Sequence, residues 1–103
     1  MMYELEISER AKSDLRGIYE YIATELDAPK AALDFLDDVA VYYERIRGNP
    51  CLYEQCRNSR LQREGYRRAV IGSYILVYKA IEEDKKVEVH RFFYGQQNYM
   101  KLI

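Results

Sequence analysis

The sequence predicts an α+β domain in which two helices cover one face of a small antiparallel sheet, in the order β-α-α-β-β-β. Three observations carry this. Residues 2–7 alternate with period two. Residues 8–48 hold two apolar stripes at helical spacing, split by Asp27-Ala28-Pro29. Residues 65–94 fall into three short apolar runs, separated by Gly72-Ser73 and Glu83-Asp84-Lys85.

In the first run Tyr3, Leu5 and Ile7 alternate with Glu4 and Glu6, as in a strand with one buried face. Ser8 then stands where a helix N-cap belongs, with Glu9 in the first turn. Ala11, Leu15, Ile18, Ile22 and Leu26 recur at steps of three or four, which predicts an amphipathic helix stopping before Asp27. Pro29 suits the first position of the next helix, where its missing N–H has no partner to lose. Ala32, Phe35, Leu36, Val39, Tyr43 and Ile46 form the second stripe, and Gly48-Asn49-Pro50 is expected to end it through a left-handed glycine. So short a break between two long helices implies an antiparallel helical hairpin.

Residues 49–63 show no periodicity and read as a loop. Tyr66–Ile71 and Tyr74–Ile81 follow as strands, the Ile75-Leu76-Val77 run marking a central strand buried on both faces. Along Val87–Tyr94, simple alternation places Val87, Val89, Arg91 and Phe93 on one face and Glu88, His90, Phe92 and Tyr94 on the other. Gly95 ends that strand, and residues 96–103 read as a tail of one or two helical turns. With both helices spent on one face, the other is expected to lie uncovered, as a solvated, concave or partner-binding surface.

A chain of 103 residues is expected to form a single domain spanning 1–103. No apolar run approaches the roughly 20 residues of a membrane helix. MMYELEIS lacks a secretory leader's basic and apolar regions, so the expected compartment is the cytoplasm. Cys51 and Cys56 read as free structural thiols. One histidine and two cysteines make no persuasive zinc set, and phosphate-loop, dinucleotide and metalloprotease motifs are missing, so neither metal nor cofactor is expected.

Charge is divided unevenly. Residues 1–52 carry 11 acids and 6 bases, whereas residues 53–103 carry 6 acids and 10 bases. Within residues 57–68, Arg57, Arg60, Arg63, Arg67 and Arg68 face one acid, Glu64. Arginine's planar fork binds phosphate and carboxylate through two hydrogen bonds, so this segment, with Arg91, points to a polyanionic partner. Arg68, Tyr94 and His90 are the candidate catalytic residues. An arginine can stabilise a phosphorane while an acid–base pair deprotonates a 2′-hydroxyl and protonates the leaving oxygen. His90 is the side chain whose ordinary pKa lies near neutrality. Tyr19, Tyr42, Tyr43 and Tyr78 are expected to pack against the helices.

The strings GYRR, YILVY and VHRFFYGQQNY, with ISERAKSDLRGIYEYIATEL before them, resemble the RelE/ParE superfamily of bacterial type II toxin–antitoxin toxins, also called plasmid stabilisation proteins. The resemblance spans nearly the whole chain. It implies a microbial-ribonuclease-like α+β fold and a cytoplasmic, growth-inhibiting toxin neutralised by a small cognate antitoxin. RelE-like members cleave mRNA in the ribosomal A site, so they are endoribonucleases; ParE-like members inhibit DNA gyrase without cutting RNA. Arg68 matches the strand arginine that ribonuclease members place against the scissile phosphate, and Tyr94 matches the carboxy-terminal tyrosine that some of them use. The position before that tyrosine, histidine in some mRNA-cleaving members, is Phe93 here. The RelE lysine pair has no counterpart in residues 49–63, and the long helical hairpin leans toward ParE. Gyrase, the ribosome with its mRNA, and a non-catalytic role as a basic RNA-binding module all stay open. A homodimer and a hetero-oligomer with the antitoxin are both compatible with the sequence.

Overall fold

The computed structural model describes residues 2–95. The tail read over residues 96–103 lies outside them. The elements run β1 (Glu4–Ile7), α1 (Glu9–Glu20, continued by a π-helical turn at Tyr21–Glu25), α2 (Pro29–Gly48), α3 (Ser59–Arg63), β2 (Tyr66–Ile71), β3 (Tyr74–Ile81) and β4 (Lys86–Tyr94). The β-α-α-β-β-β order holds, with α3 added. Ser8 caps α1 through its hydroxyl, which accepts the Ala11 N–H at 3.0 Å, and Pro29 opens α2.

The sheet order is β1-β4-β3-β2. β2, β3 and β4 are antiparallel neighbours, but β1 lies parallel to β4, with Leu5 beside Val87 and Ile7 beside Val89. The sheet is therefore mixed, not wholly antiparallel. Parallel partners need a long crossover, and here everything from α1 to β3 supplies it.

One sheet face packs under the helical hairpin. Ala11, Ile22, Ala32, Phe35, Val39 and Ile46 meet Ala69, Ile71, Leu76, Tyr78, Val87, Val89 and Phe92, with Tyr19, Tyr42 and Tyr43 at the margins. The opposite face is not open, contrary to the expectation from sequence. Cys56 and Leu61 are fully buried there against Tyr66, Ile75, Val77 and Phe93. Nor is the whole of residues 49–63 a loop. Asn58 caps α3 by accepting the Arg60 and Leu61 N–H groups, and that single turn delivers Leu61 to the sheet. One apolar residue in a polar run leaves no periodicity to read.

Two further corrections are local. Val77 pairs with Arg91 but Tyr78 pairs with Val89, so His90 is the extra residue of a β-bulge. The bulge reverses the alternation: Phe92 joins Val87 and Val89 under the helices, while Phe93 joins the second core. Gly48 does not end α2 in a left-handed conformation. Among the described residues, those with positive φ are Asp27, Gly65, Gly72 and Lys85, and α2 closes with the Asn49 N–H donating to the Arg45 carbonyl at 2.9 Å.

β1 has four residues and β4 nine, so beyond Val89 the outer edge of β4 has no strand beside it. Side chains from the start of the chain serve that edge. The Ser8 hydroxyl donates to the His90 carbonyl at 2.7 Å, and Asp14 accepts the Phe92 N–H at 3.0 Å. Asp14 also takes the Arg91 guanidinium in a two-pronged pair, at 2.7 and 3.1 Å. Both side chains of that pair are at most 20% exposed. Removing one partner of a shielded, hydrogen-bonded pair leaves the other desolvated and unmatched. Asp14→Ala is accordingly expected to lower stability by about 2–3 kcal/mol. Urea unfolding checks this, and a loss below about 0.5 kcal/mol would show that the edge does not need the carboxylate. Leu61→Ala, opening a cavity in the second core, is expected to lower stability by about 2–4 kcal/mol in the same assay.

Candidate functional site

The Gly72-Ser73 turn between β2 and β3 meets the end of β4. Gly72 takes φ +59°, a conformation that costs glycine little. The Gly95 N–H donates to the Ser73 carbonyl at 2.7 Å, and a Cβ on Gly95 would stand 3.0 Å from that oxygen, so a bare backbone is needed there. Around this junction lie three adjoining hollows of about 540, 440 and 280 Å³, all lined by Tyr74 and Tyr94. The first adds Asp14, Ile18, Tyr21 and Phe92; the second adds Leu26, Phe35, Asp34 and Asp38; the smallest adds Arg68, Val70, Ser73 and Ile75. The rings interlock edge to face, Phe35 on Tyr74 at 5.3 Å and Tyr74 on Tyr94 at 5.8 Å. Burial, reinforced by Tyr21 and Tyr94, pushes the Tyr74 phenol above its ordinary pKa.

Arg68 and Tyr94 therefore line one hollow. Arg68 is already engaged, its Nη1 donating to the Glu54 carboxylate at 2.7 Å with the side chain only 14% exposed. Arg57 approaches the same carboxylate at 3.7 Å. The Arg68 Nε is buried with no hydrogen-bond partner among the described residues.

His90 is placed elsewhere. It lines none of the three hollows, and its ring lies 5.1 Å from that of Tyr66, over which Lys79 also sits at 4.8 Å. Its Nδ1 is 3.9 Å from Glu88. Burial holds its pKa below the ordinary 6.5; Glu88 opposes this, while Arg91, Lys79 and Arg10 reinforce it. Phe93, in the position before Tyr94, is sealed in the second core.

The arginines do not form one bare patch. Arg60 pairs with Glu64 at 2.8 Å, and Arg67 turns inward to donate to the Tyr53 carbonyl at 2.9 Å. Arg63 ends α3, and Arg91 is fastened to Asp14, whose hydrogen bond raises the guanidinium pKa. Sequence reasoning singled out neither Glu54 nor Asp14, nor the aromatic pair Tyr21 and Tyr74. Glu54 stands in a segment without pattern, and Asp14 looks like any acid on a helix's polar side. Among the described residues no cluster of His, Cys, Asp or Glu is placed to hold a metal ion; Cys51 is exposed, Cys56 is buried, and neither is in a disulfide. No helix among them is long and apolar enough to cross a membrane.

The family described as ParE toxin of type II toxin-antitoxin system, parDE, matches residues 5–99. The chain belongs to the ParE toxin family. No curated protein matches. Among solved structures, the chromosomal ParDE system of P. aeruginosa is similar at 17% identity and a TM-score of 0.73, covering 92% of this chain and 98% of that one. A mutant of the E. coli toxin RelE in the free state is similar at 18% identity and 0.65, covering 99% and 93%. The RelBE2 toxin–antitoxin complex of Mycobacterium tuberculosis is similar at 17% identity and 0.62, covering 91% and 92%. These likenesses support the α+β fold of the RelE/ParE superfamily.

For this ParE-family member the His90 environment sets a pH dependence. Its pKa is lowered on folding, so the unfolded chain binds the proton more tightly. The associated stability is complete above the unfolded value of 6.5 and drains away as pH falls below it toward the folded value. Urea midpoints at about pH 7.5 and about pH 5 should differ less for His90→Gln than for the wild type. An equal or larger difference in the variant would remove His90 as a contributor.

Proposed function

We propose that this chain is the growth-inhibiting toxin of a two-protein module, acts in the cytoplasm by inhibiting DNA gyrase, and is neutralised by an acidic cognate antitoxin. One observation supports gyrase inhibition over RNA cleavage: among the described residues no histidine lines the Arg68 hollow. The one histidine lies tilted against the Tyr66 ring, away from the Arg68 hollow, with its charged form disfavoured. Phe93 is buried at the position where the resemblance gives some mRNA-cleaving members a histidine, and one nitrogen of the Arg68 fork already donates to Glu54. General acid–base catalysis needs groups within hydrogen-bond reach of the reacting atoms. The ParE family match over residues 5–99 favours the same branch.

Induced expression in a bacterium should raise the SOS response and cause filamentation, with toxicity depending on the gyrase allele, and should leave mRNA intact. Ribosome-dependent mRNA cuts without SOS induction would overturn the gyrase reading. The shared lining of Arg68 and Tyr94 then becomes the specific ground for a ribonuclease. In that case Arg68→Ala abolishes cleavage, and Tyr94→Phe lowers it by a factor of about 100 or more.

The antitoxin follows from charge. Arg57, Arg60 and Arg63 lie exposed on the segment that covers the second core, and an acidic, partly disordered chain folding over that segment would complement it. Arg60→Glu with Arg63→Glu is expected to weaken the toxin–antitoxin complex about tenfold or more and to flatten its salt dependence, read by titration at two ionic strengths. Unchanged affinity would place the antitoxin on another surface.

A further inference from the structure

Leu26 falls on the apolar stripe of the first helix by spacing, yet it is 55% exposed. The cause is the π-helical turn at Tyr21–Glu25, where the Leu26 N–H donates to the Tyr21 carbonyl, five residues back, at 3.1 Å. This wider turn breaks the register of the stripe, so Ile22 stays in the core while Tyr21 and Leu26 turn outward. Both then stand at the end of the sheet. Of the eight large apolar side chains left exposed among the described residues, Tyr21, Leu26, Val70 and Tyr94 line the three adjoining hollows. Together with Ile18, Phe35, Tyr74 and Phe92 they make one apolar groove. Single exposed apolar residues need no explanation, but a gathered patch marks a docking surface.

Charge selects the occupant. Asp34 and Asp38 line the groove from α2. Asp34 holds Lys30 at 3.0 Å with both side chains mostly exposed, and Asp38 forms no ion pair among the described residues. Asp14 is engaged by Arg91, and Arg68 by Glu54. The charge left to meet a partner is therefore negative. An exposed pair such as Lys30–Asp34 is weak, so a partner's cation can take the place of Lys30. The bare faces of Tyr21 and Tyr94 can also receive a cation.

The shape selects a helix. Ser8 and Asp14 already serve the neighbouring edge of β4, so side chains, not strand pairing, must hold the occupant. Asp34 and Asp38 are four residues apart, the spacing that puts two side chains on one helix face. Two cations at the same spacing on a helix laid beside α2 can meet both, while its apolar face enters the groove.

We propose that this groove docks an amphipathic helix of a second protein. Its apolar face lies against Tyr21, Leu26, Tyr74 and Tyr94, and two lysines or arginines one turn apart face Asp34 and Asp38. The occupant is opposite in charge to the antitoxin segment assigned to α3, so this is a separate surface. It is independent of the gyrase reading.

The test uses the full chain and fluorescence anisotropy with a fluorescein-labelled peptide of about fifteen residues, leucine and lysine only, its leucines at helical spacing. A second peptide carries glutamate for lysine, and a third has the first one's composition in strict alternation. Wild type should bind the first peptide about tenfold or more tighter than either other. Asp34→Lys with Asp38→Lys should weaken that binding about tenfold or more, and Asp34→Asn with Asp38→Asn by a smaller factor. Tyr21→Ala, at an exposed position, should weaken it about fivefold or more. Glu83→Lys with Asp84→Lys makes the same charge change at the other end of the sheet and should alter affinity less than about twofold. An equal loss in that control, no loss in the Asp34 and Asp38 variants, or no binding by wild type would overturn the proposal. So would a wild-type dimer in sedimentation that Asp34→Lys with Asp38→Lys dissociates, which would give the groove to a second copy of this chain. None of these results touches the gyrase prediction, which is read in cells.

Discussion

The shortness of β1 constrains the rest of this fold. A four-residue strand can serve only the first half of a nine-residue neighbour, so the second half of β4 would present bare backbone groups at a partly buried edge. Ser8 and Asp14 meet that need from the start of α1. In doing so they fix where α1 lies against the sheet, and with it the position of the helical hairpin. Asp14 also takes the Arg91 fork, so a residue that looks like a ligand-binding arginine in the sequence is a fastening between helix and strand. The bulge at His90 falls at the same point, where the strand changes partner from β1 to these side chains.

The bulge gives the sheet two hydrophobic faces. Without it Phe92 and Phe93 would exchange sides, each ring entering the core that now holds the other. The second face is covered by one turn of helix and a strip of extended chain. The strip is pinned where the Tyr78 hydroxyl donates to the Pro50 carbonyl at 2.7 Å and where Arg67 donates to the Tyr53 carbonyl. Burial also pushes the Tyr78 phenol up to about 12, so it remains a donor across the physiological range. The same backbone pairing that closes the strip over Cys56 and Leu61 carries Glu54 to Arg68. Covering the core and loading the guanidinium are one structural event.

That coupling changes the meaning of the charge asymmetry. Five arginines against one acid in residues 57–68 suggest an exposed cationic surface. In the fold, Glu54 and Glu64 each neutralise arginine locally, and Arg67 is drawn inward. The exposed pairs Arg57–Glu54 and Arg60–Glu64 contribute little stability, so their importance lies in how readily they exchange for a partner's charges.

The sequence by itself determined the elements other than α3 and their order, because those depend on contacts between residues close in the chain. The alternation of Tyr3, Leu5 and Ile7, the cap at Ser8, Pro29 at a helix start and the two apolar stripes each signal local structure through a spacing of two to four residues. Tertiary structure alone decided the parallel seating of β1 on β4, the bulge at His90, the covering of the second face by Leu61, and the encounter of Arg68 with Glu54. Each joins residues that no local periodicity links: Asp14 to Arg91 across 77 positions, Glu54 to Arg68 across 14. The candidate site was legible only in part for the same reason. Arg68 and Tyr94 could be named from the strands that carry them, but that they share a hollow, that His90 does not, and that a carboxylate already holds one nitrogen of the arginine's fork depend on where distant segments come to rest.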